Sequence, residues 1–94
     1  MTYKLAFRVE AKQEWDKLSA NVKEQFKKKL IERCAHPHVP ASRLSGSKNR
    51  YKIKLRQAGF RLVYEVNDNT VTVIVVAVGK RERNLVYKLA MKRH

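Results

Sequence analysis

The sequence predicts an α+β domain: a small, mainly antiparallel four-stranded sheet with a helical hairpin on one face and a concave basic surface. Three observations lead to this prediction. Apolar residues alternate with polar ones over 3–9 and 50–56, recur at helical spacing between 11 and 34, and run almost without interruption over 70–78. The predicted order is β-α-α-β-β-β, followed by a short helix. A length of 94 residues suits one domain, 1–94.

The first strand is predicted over residues 3–9, because every second residue there is apolar. Its buried side would hold Tyr3, Leu5, Phe7 and Val9. We expect this strand to pair with the fourth, and its direction stays open.

Two helices follow at the spacing of a single helical face. Ala11, Trp15 and Leu18 belong to the first, and Asn21 is the expected N-cap of the second. The apolar stripe of the second helix is Val22, Phe26, Leu30, Ile31 and Cys34. Pro37 ends it, since proline cannot continue a helix.

The second strand carries cations on one face only. Tyr51, Ile53 and Leu55 point one way, and the other face bears Arg50, Lys52, Lys54 and Arg56. The segment 57–59 is a predicted turn with Gly59 at positive φ, and the third strand returns over 60–66 with Arg61.

The fourth strand is predicted over 70–78, after a turn at 67–69. Its β-branched residues do not alternate, which indicates burial on both faces and a central position in the sheet. Gly79 is expected to close it. In the segment that follows, Leu85 and Leu89, with Val86, could line one face of a short helix.

The formal net charge of +14 is extreme for this length and attracts polyanions. Nucleic acid is the first choice of partner, an acidic protein the second and a membrane surface the third. A single cysteine suits a reducing cytoplasm. No apolar leader or membrane span is visible, so we expect a cytoplasmic protein without a membrane partner.

The cations are concentrated in two regions that the sheet can bring together. Residues 43–61 include seven cations and no acid, and residues 80–94 include six against Glu82. They are Arg43, Lys48, Arg50, Lys52, Lys54, Arg56 and Arg61, then Lys80, Arg81, Arg83, Lys88, Lys92 and Arg93. Any one of these lysines, taken alone, is best explained as a solvated side chain that aids solubility. Their shared face, with Tyr87 near it, predicts a phosphate-binding site.

Other candidate sites are weaker. His36 and His38 lie beside prolines without a third ligand, so we predict no metal, and nothing indicates a cofactor. Cys34 and Trp15 stand at helical spacing and are expected in the core. The histidine and carboxylate pairs usual in nucleases are absent from the sequence.

The chain closely resembles the RelE toxins of bacterial toxin–antitoxin pairs along nearly its whole length. The resemblance is carried by the segments 51–56 (YKIKLR), 59–64 (GFRLVY) and 78–83 (VGKRER) with Tyr87, and by the early residues 14–18 and 22–30. It implies a RelE-like fold of the microbial ribonuclease type. The chain departs from close relatives at Ser45, where they carry a basic residue.

Members of that family cut mRNA in the ribosomal A site by attack of a ribose 2′-hydroxyl on the adjacent phosphate. The residues that match the family's active positions are Lys52, Lys54, Arg61, Arg81 and Tyr87. Free tyrosine titrates near pH 10, and neighbouring cations favour the phenolate. We therefore expect Tyr87 as base, with Lys52 or Lys54 sharing that role.

The remaining roles follow from the same chemistry. Arg61 would hold the scissile phosphate by paired hydrogen bonds, and Arg81 would stabilise developing charge. Further contacts to RNA or ribosome are expected from Arg43, Lys48, Arg50, Arg56, Lys80 and Arg83.

The resemblance also implies partners: a RelB-like antitoxin, the 70S ribosome with its mRNA, and operator DNA only through the antitoxin complex. A non-catalytic RNA- or ribosome-binding domain is the alternative. A DNA-binding domain ranks last, because no recognition helix rich in arginine and amide side chains is present.

Overall fold

The computed structural model describes residues 2–82 and 84–93. The elements follow the predicted order. They are β1 (Lys4–Phe7), α1 (Val9–Asp16), α2 (Ala20–Ala35), β2 (Arg50–Leu55), β3 (Phe60–Asn67), β4 (Thr72–Lys80) and α3 (Leu85–Lys92), with a 3₁₀ turn at Pro40–Ser42 before β2. None of the helices in these two described ranges has the length and apolarity that crossing a bilayer requires.

β4 lies inside the sheet, whose strand order is β1-β4-β3-β2. β1 pairs with it in parallel, with Lys4 opposite Thr72, and β2, β3 and β4 form an antiparallel meander. The predicted central position of the fourth strand is confirmed. β2 is an edge strand, so its outer side is open to groups from elsewhere in the chain.

β1 is shorter than predicted, and the expectation that Leu5 is buried is wrong, because Leu5 is 45% exposed on this edge strand. Val9 does not continue the strand but begins α1, and its side chain is 72% exposed. Arg8, in extended conformation, is the residue at which the chain turns into the helix. Glu10 in the first turn favours a helix start here, because a carboxylate interacts well with the positive end of the helix dipole.

The helical hairpin covers one face of the sheet, as predicted. Trp15 of α1 packs edge-on against Phe7 at a centroid separation of 5.2 Å and lies 6.1 Å from the ring of Phe26. Phe26 and Leu30 of α2 are fully buried in the same cluster. Each such side chain contributes about 1.5–3 kcal/mol by leaving water, so this face holds most of the core.

Two details of α2 differ from the prediction. The N-cap is Ser19 rather than Asn21, and its Oγ accepts a hydrogen bond from the Val22 amide at 3.3 Å. Serine caps as well as asparagine does, so the helix begins earlier. Ile31 is 71% exposed, because the buried stripe advances by four residues at a time and Ile31 lies one residue beyond Leu30, about 100° around the helix.

The two turns of the meander have different local causes. Gly59 takes φ +73°, as predicted, and its amide donates to the Leu55 carbonyl at 2.8 Å. The second turn is longer than predicted, so β4 begins at Thr72 rather than Thr70. The Asn67 side chain accepts from the Thr70 amide at 3.1 Å, which holds residues 68–71 out of the strand.

The opposite face of the sheet is covered in part by α3. A second small core contains Val63, Val76, Ala77, Val86 and Ala90. The register of β3 and β4 shifts at Val63 and Tyr64, whose partners are Ala77 and Val75. The extra residue, Val76, makes a β-bulge, which bends the strand beside α3.

The packing of α3 corrects two further expectations. Gly79 lies within β4 and does not end it. A Cβ there would come within 3.3 Å of Val86 Cγ2, so glycine lets the helix approach the strand. Val86 is buried in α3 as predicted, and Leu89 is partly buried against the same cluster. The prediction is wrong for Leu85, which is 50% exposed, and Ala90 is buried in its place.

Candidate active site

β2 presents its lysines on one face of the sheet. Burial alternates along the strand, with Tyr51, Ile53 and Leu55 buried under the hairpin. Lys52 and Lys54 have the opposite parity, so their side chains leave on the face that carries α3. The predicted alternation is therefore confirmed.

Arg61 and Tyr87 form a hydrogen-bonded pair beside these lysines. Arg61 lies on β3 directly opposite Lys54, and its Nη1 donates to the Tyr87 hydroxyl at 3.0 Å. The guanidinium carbon lies 5.5 Å from the centre of the Tyr87 ring. Arg61 Nε is buried without a hydrogen-bond partner among the residues described, so a contact between Arg61 and a ligand would come from the terminal nitrogens of the guanidinium.

Tyr87 reaches the site because α3 packs back over β3 and β4. Val86, its neighbour, is buried against Gly79, and this leaves the half-buried tyrosine ring beside the lysines. The Lys52 ammonium lies 5.9 Å from the ring centre. A cation at that distance from an aromatic face is attracted to it, so the ring helps to orient Lys52.

Lys54 stands in a strongly positive field. The positive charge of Lys52, then that of Arg61, lowers the pKa of the Lys54 amine, and desolvation, Arg56 and Arg81 act in the same direction. A larger fraction of neutral amine is consequently present at a given pH than for a free lysine. The arginine at 81 is exposed and its backbone amide donates to the Gly59 carbonyl at 2.7 Å.

The five residues expected to carry the chemistry are thus brought to one surface. Two come from β2, one from β3, one from the residue that follows β4 and one from α3. They are Lys52, Lys54, Arg61, Arg81 and Tyr87.

The further cations expected to bind RNA or ribosome have different fates. Arg43, Lys48, Arg56 and Lys80 are exposed, and Arg56 lines a hollow of about 370 Å³ along the outer edge of β2. Arg83 lies outside the described residues.

Arg50 is engaged within the fold. Its Nε donates to Glu65 at 3.1 Å, and its two terminal nitrogens donate to the carbonyl oxygens of Ala90 and Arg93 at the end of α3. Its guanidinium therefore fixes the helix that bears Tyr87.

Arg33 was not predicted to take part in any site. Its guanidinium reaches from α2 to the carbonyl of Lys52 at 3.3 Å and to the Tyr64 hydroxyl at 2.9 Å. It lines the same hollow as Lys52, Lys54 and Arg56. The sequence holds no signal for this, because Arg33 stands in a lysine-rich helix between residues of the apolar stripe.

His38 and Cys34 have structural surroundings. His38 contacts the Tyr51 hydroxyl and Asp68 Oδ1, each at 3.0 Å, and Cys34 is buried, which raises the pKa of its thiol. Throughout residues 2–82 and 84–93, no three histidine, cysteine, aspartate or glutamate side chains are grouped so that they could hold a metal.

Comparison with known proteins identifies the family. The family model of the ParE toxin of the type II toxin–antitoxin system parDE matches residues 5–85. The mRNA interferase toxin RelE of Escherichia coli (strain K12) is 52% identical over 93 residues, which are 99% of this chain and 98% of that protein. The chain belongs to the RelE/ParE family of type II toxins.

Solved structures of RelE/ParE proteins agree with this assignment. A double arginine-to-alanine mutant of E. coli toxin RelE in the free state superposes with a TM-score of 0.90 at 49% identity, over 98% of this chain and 97% of that chain. RelE in the intact E. coli RelBE toxin–antitoxin complex gives a TM-score of 0.82 at 51% identity, over 86% of this chain and 99% of that chain. The predicted α+β fold and the predicted RelE-type family are therefore confirmed.

Proposed function

We propose that this chain is the toxin of a type II toxin–antitoxin pair and an mRNA interferase that cleaves mRNA in the ribosomal A site. The observation that carries the proposal is a cluster of cations beside Tyr87. Arg61 donates to the Tyr87 hydroxyl and Lys52 lies near its ring, while Lys54 stands in the positive field of Lys52, Arg61 and Arg81. The 52% identity to a protein named as an mRNA interferase supports the same activity.

The proposed reaction is an attack of the ribose 2′-oxygen on the adjacent phosphorus. The 2′-hydroxyl gives its proton to a base, the new P–O bond closes a cyclic phosphate, and the bond to the 5′-oxygen breaks. The departing 5′-oxygen takes up a proton from solvent water. Such a reaction needs a base, stabilisation of the charge on phosphorus and a proton donor.

The side chains suit the first two of these tasks. Tyr87 and Lys54 are the candidate bases: the lowered pKa of Lys54 makes its neutral amine more available, and Arg61 holds the tyrosine oxygen in place. Arg61, whose terminal nitrogen Nη1 reaches the Tyr87 hydroxyl, would hold the scissile phosphate through its terminal N–H groups. Arg81, exposed at the rim, would stabilise the developing charge and assist the leaving oxygen.

Dependence on the ribosome is part of the proposal. The five side chains supply charge and proton transfer, but an open basic surface does little to bend a flexible RNA into the geometry for attack. Positioning of that kind lowers the activation free energy by about 7–11 kcal/mol in well-oriented reactions. The exposed cations Arg43, Lys48, Arg56 and Lys80 would hold the ribosome and mRNA backbone.

An acidic or amphipathic antitoxin of the RelB type is the proposed protein partner. The net charge of +14 and the open basic surface support it, and the intact E. coli RelBE toxin–antitoxin complex contains a similar toxin. We propose that operator DNA, and repression of transcription, are reached only through that complex, and that the protein works in the cytoplasm.

The test is a translation extract programmed with a single mRNA, with and without ribosomes. We expect new 5′ ends within codons only when ribosomes are present. Arg81→Ala and Tyr87→Phe should each lower the cleavage rate by about 10²–10³-fold, as loss of one charge-stabilising group does in other enzymes. Lys28→Met, which removes an exposed cation from α2, is the matched control.

Two results would refute the proposal in different ways. If both variants cleave as well as the parent, the assigned roles are wrong. If the parent leaves mRNA intact yet binds ribosomes in a salt-dependent manner, the protein is instead a binding domain without catalysis.

A further inference from the structure

Five arginines of the described chain are half-buried, and they fall into two groups. Three have a glutamate partner: Arg50 with Glu65 at 3.1 Å, Arg93 with Glu14 at 2.8 Å and Arg8 with Glu10 at 3.9 Å. The other two are Arg61 and Arg33, and neither makes an ion pair with a carboxylate in residues 2–82 or 84–93.

Arg33 and Arg61 have the same kind of surroundings. Each donates from Nη1 to a tyrosine hydroxyl, Arg33 to Tyr64 at 2.9 Å and Arg61 to Tyr87 at 3.0 Å. Each guanidinium carbon lies near the ring of that tyrosine, at 5.7 Å and 5.5 Å. Since Arg61 is the residue proposed to hold the scissile phosphate, its counterpart is a candidate for a second anion.

The guanidinium of Arg33 is fixed in place and still has donors to offer. Nη1 also donates to the Lys52 carbonyl and Nη2 to Ser42 Oγ, both at 3.3 Å. Arginine has five N–H groups, so these three bonds leave two. A rigid guanidinium loses little conformational entropy when it binds a phosphate.

The edge of β2 explains how Arg33 is held. The Arg50 carbonyl accepts from the Leu44 amide at 2.8 Å, so the carbonyls of this parity point away from β3. Lys52 lies two residues on and has the same parity. Its carbonyl bond to Arg33 therefore continues the row of hydrogen bonds along the outer edge, and this brings the guanidinium to the rim of the candidate site.

The hollow in front of Arg33 has only cations as its charged lining. It is about 370 Å³ and is formed by Arg33, Ala41, Ser42, Lys52, Lys54 and Arg56. No carboxylate is among these lining residues. Repulsion from Lys52, and to a smaller extent from Arg56, contributes to the lowered pKa of Lys54 in this lining. A phosphate group would relieve that repulsion and accept from both arginine and serine.

We propose that Arg33, with Ser42 and Arg56, binds the phosphate next to the scissile one in the RNA strand that the candidate site cleaves. This inference rests on the proposed function, and it extends the site beyond the edge of β2. Arg33 is then a substrate-binding residue, and Tyr64 is the residue that positions it.

The experiment compares two RNA probes by NMR titration of the free protein. The first is a dinucleotide with one phosphate, and the second is a trinucleotide with one more. Each carries 2′-deoxyribose at the position of attack, so neither can be cleaved. We expect Arg33→Met to weaken trinucleotide binding about tenfold, the loss of one charge-assisted contact, and to leave dinucleotide binding unchanged.

The salt dependence provides a second readout that a purely structural role would not move. For a single-stranded probe, loss of one phosphate contact should reduce the slope of log Kd against log salt by about 0.7. The control is Lys28→Met, which removes a charge from α2 at a position about 140° around the helix from Arg33. Arg33→Lys keeps the charge but lacks the paired N–H groups of the guanidinium. We expect it to lose an intermediate amount of affinity for the trinucleotide and none for the dinucleotide.

Several results would overturn the inference. Equal losses on both probes would mean that Arg33 only supports the fold around Lys52. If Arg33→Met binds the trinucleotide as tightly as the control Lys28→Met does, Arg33 makes no phosphate contact. In that case the proposed function still stands if the parent protein cleaves mRNA in the presence of ribosomes. A loss confined to binding of empty ribosomes would assign Arg33 to ribosomal RNA instead.

Discussion

Removal of the Arg50 side chain should both destabilise the fold and disable the candidate site. Arg50 is 13% exposed and its partner Glu65 is 28% exposed, so the pair lies between a surface and a buried ion pair. Exposed pairs contribute about 0–1 kcal/mol, whereas breaking a buried pair costs about 3–5 kcal/mol. Arg50→Met also leaves the carbonyls of Ala90 and Arg93 without this donor.

We therefore expect Arg50→Met to lower the free energy of unfolding by about 2–3 kcal/mol, measured by urea denaturation. For 94 residues this corresponds to a fall in Tm of roughly 8–24 °C. Glu65→Gln keeps the two bonds from Arg50 to α3, so it should cost only about 1 kcal/mol.

The effect of Arg50→Met on cleavage distinguishes Arg50 from a residue whose ion pair only stabilises the fold. Tyr87 depends on α3 for its position, so Arg50→Met should reduce ribosome-dependent cleavage at a temperature where the variant is still folded. Lys92→Met, an exposed change at the end of the same helix, is the control. A free-energy change below about 0.5 kcal/mol, with full cleavage, would refute the reasoning.

Three further predictions concern the core and the charges. Phe26→Ala should cost about 3–5 kcal/mol in denaturant unfolding, whereas Ile31→Ala, on the exposed side of the same helix, should change stability by no more than about 0.5 kcal/mol. Lys54→Met should raise Tm at low salt, because it removes the repulsion between residue 54 and the neighbouring lysine of β2, while the rate of cleavage falls. The gain in Tm should vanish in 1 M salt. It should also vanish as the pH rises from the lowered pKa of Lys54 in the folded protein to the unfolded value near 10.5. The hydrogen bond from Tyr3, and then the one from His38, lower the pKa of Asp68 below its usual 3.8. The stabilisation from Asp68 is therefore present above pH 3.8 and is lost in more acid solution. An acid-unfolding curve of Asp68→Asn that is steeper than that of the parent below pH 4 would contradict this.

The parts of the fold that follow from side-chain period were predictable. The alternation from Arg50 to Leu55 is a local property, and it told which side chains lie under the hairpin and which face outward. The central position of β4 followed in the same way, because a strand without alternation must be covered twice. The resemblance to a toxin family then singled out Lys52, Lys54, Arg61, Arg81 and Tyr87, which the fold brings together.

The parts that depend on competition between neighbouring residues were not predictable. Ser19 and Asn21 are both good caps, and only packing decides which of them the helix uses. Ile31 fits a broad apolar stripe as well as a narrow one. Gly79 could equally have ended a strand or admitted a helix, and the choice depends on Val86, seven residues further along the chain.

Arg33 illustrates a different limit. Its three contacts lie 9, 19 and 31 residues away in sequence, on elements whose arrangement exists only after the sheet has formed. A lysine-rich helix gives no reason to distinguish this arginine from its neighbours. Long-range side-chain networks of this kind have no period and hence no signature.

The parallel pairing of β1 with β4 also bears on the order in which the parts of the candidate site can come together. Phe7 finds its partner only at Val75, and Tyr87 is synthesised after all four strands. A polypeptide truncated before α3 would contain the residues of all four strands but lack Tyr87, one of the five candidate site residues. The candidate site is therefore complete only when α3 has folded back over β3 and β4.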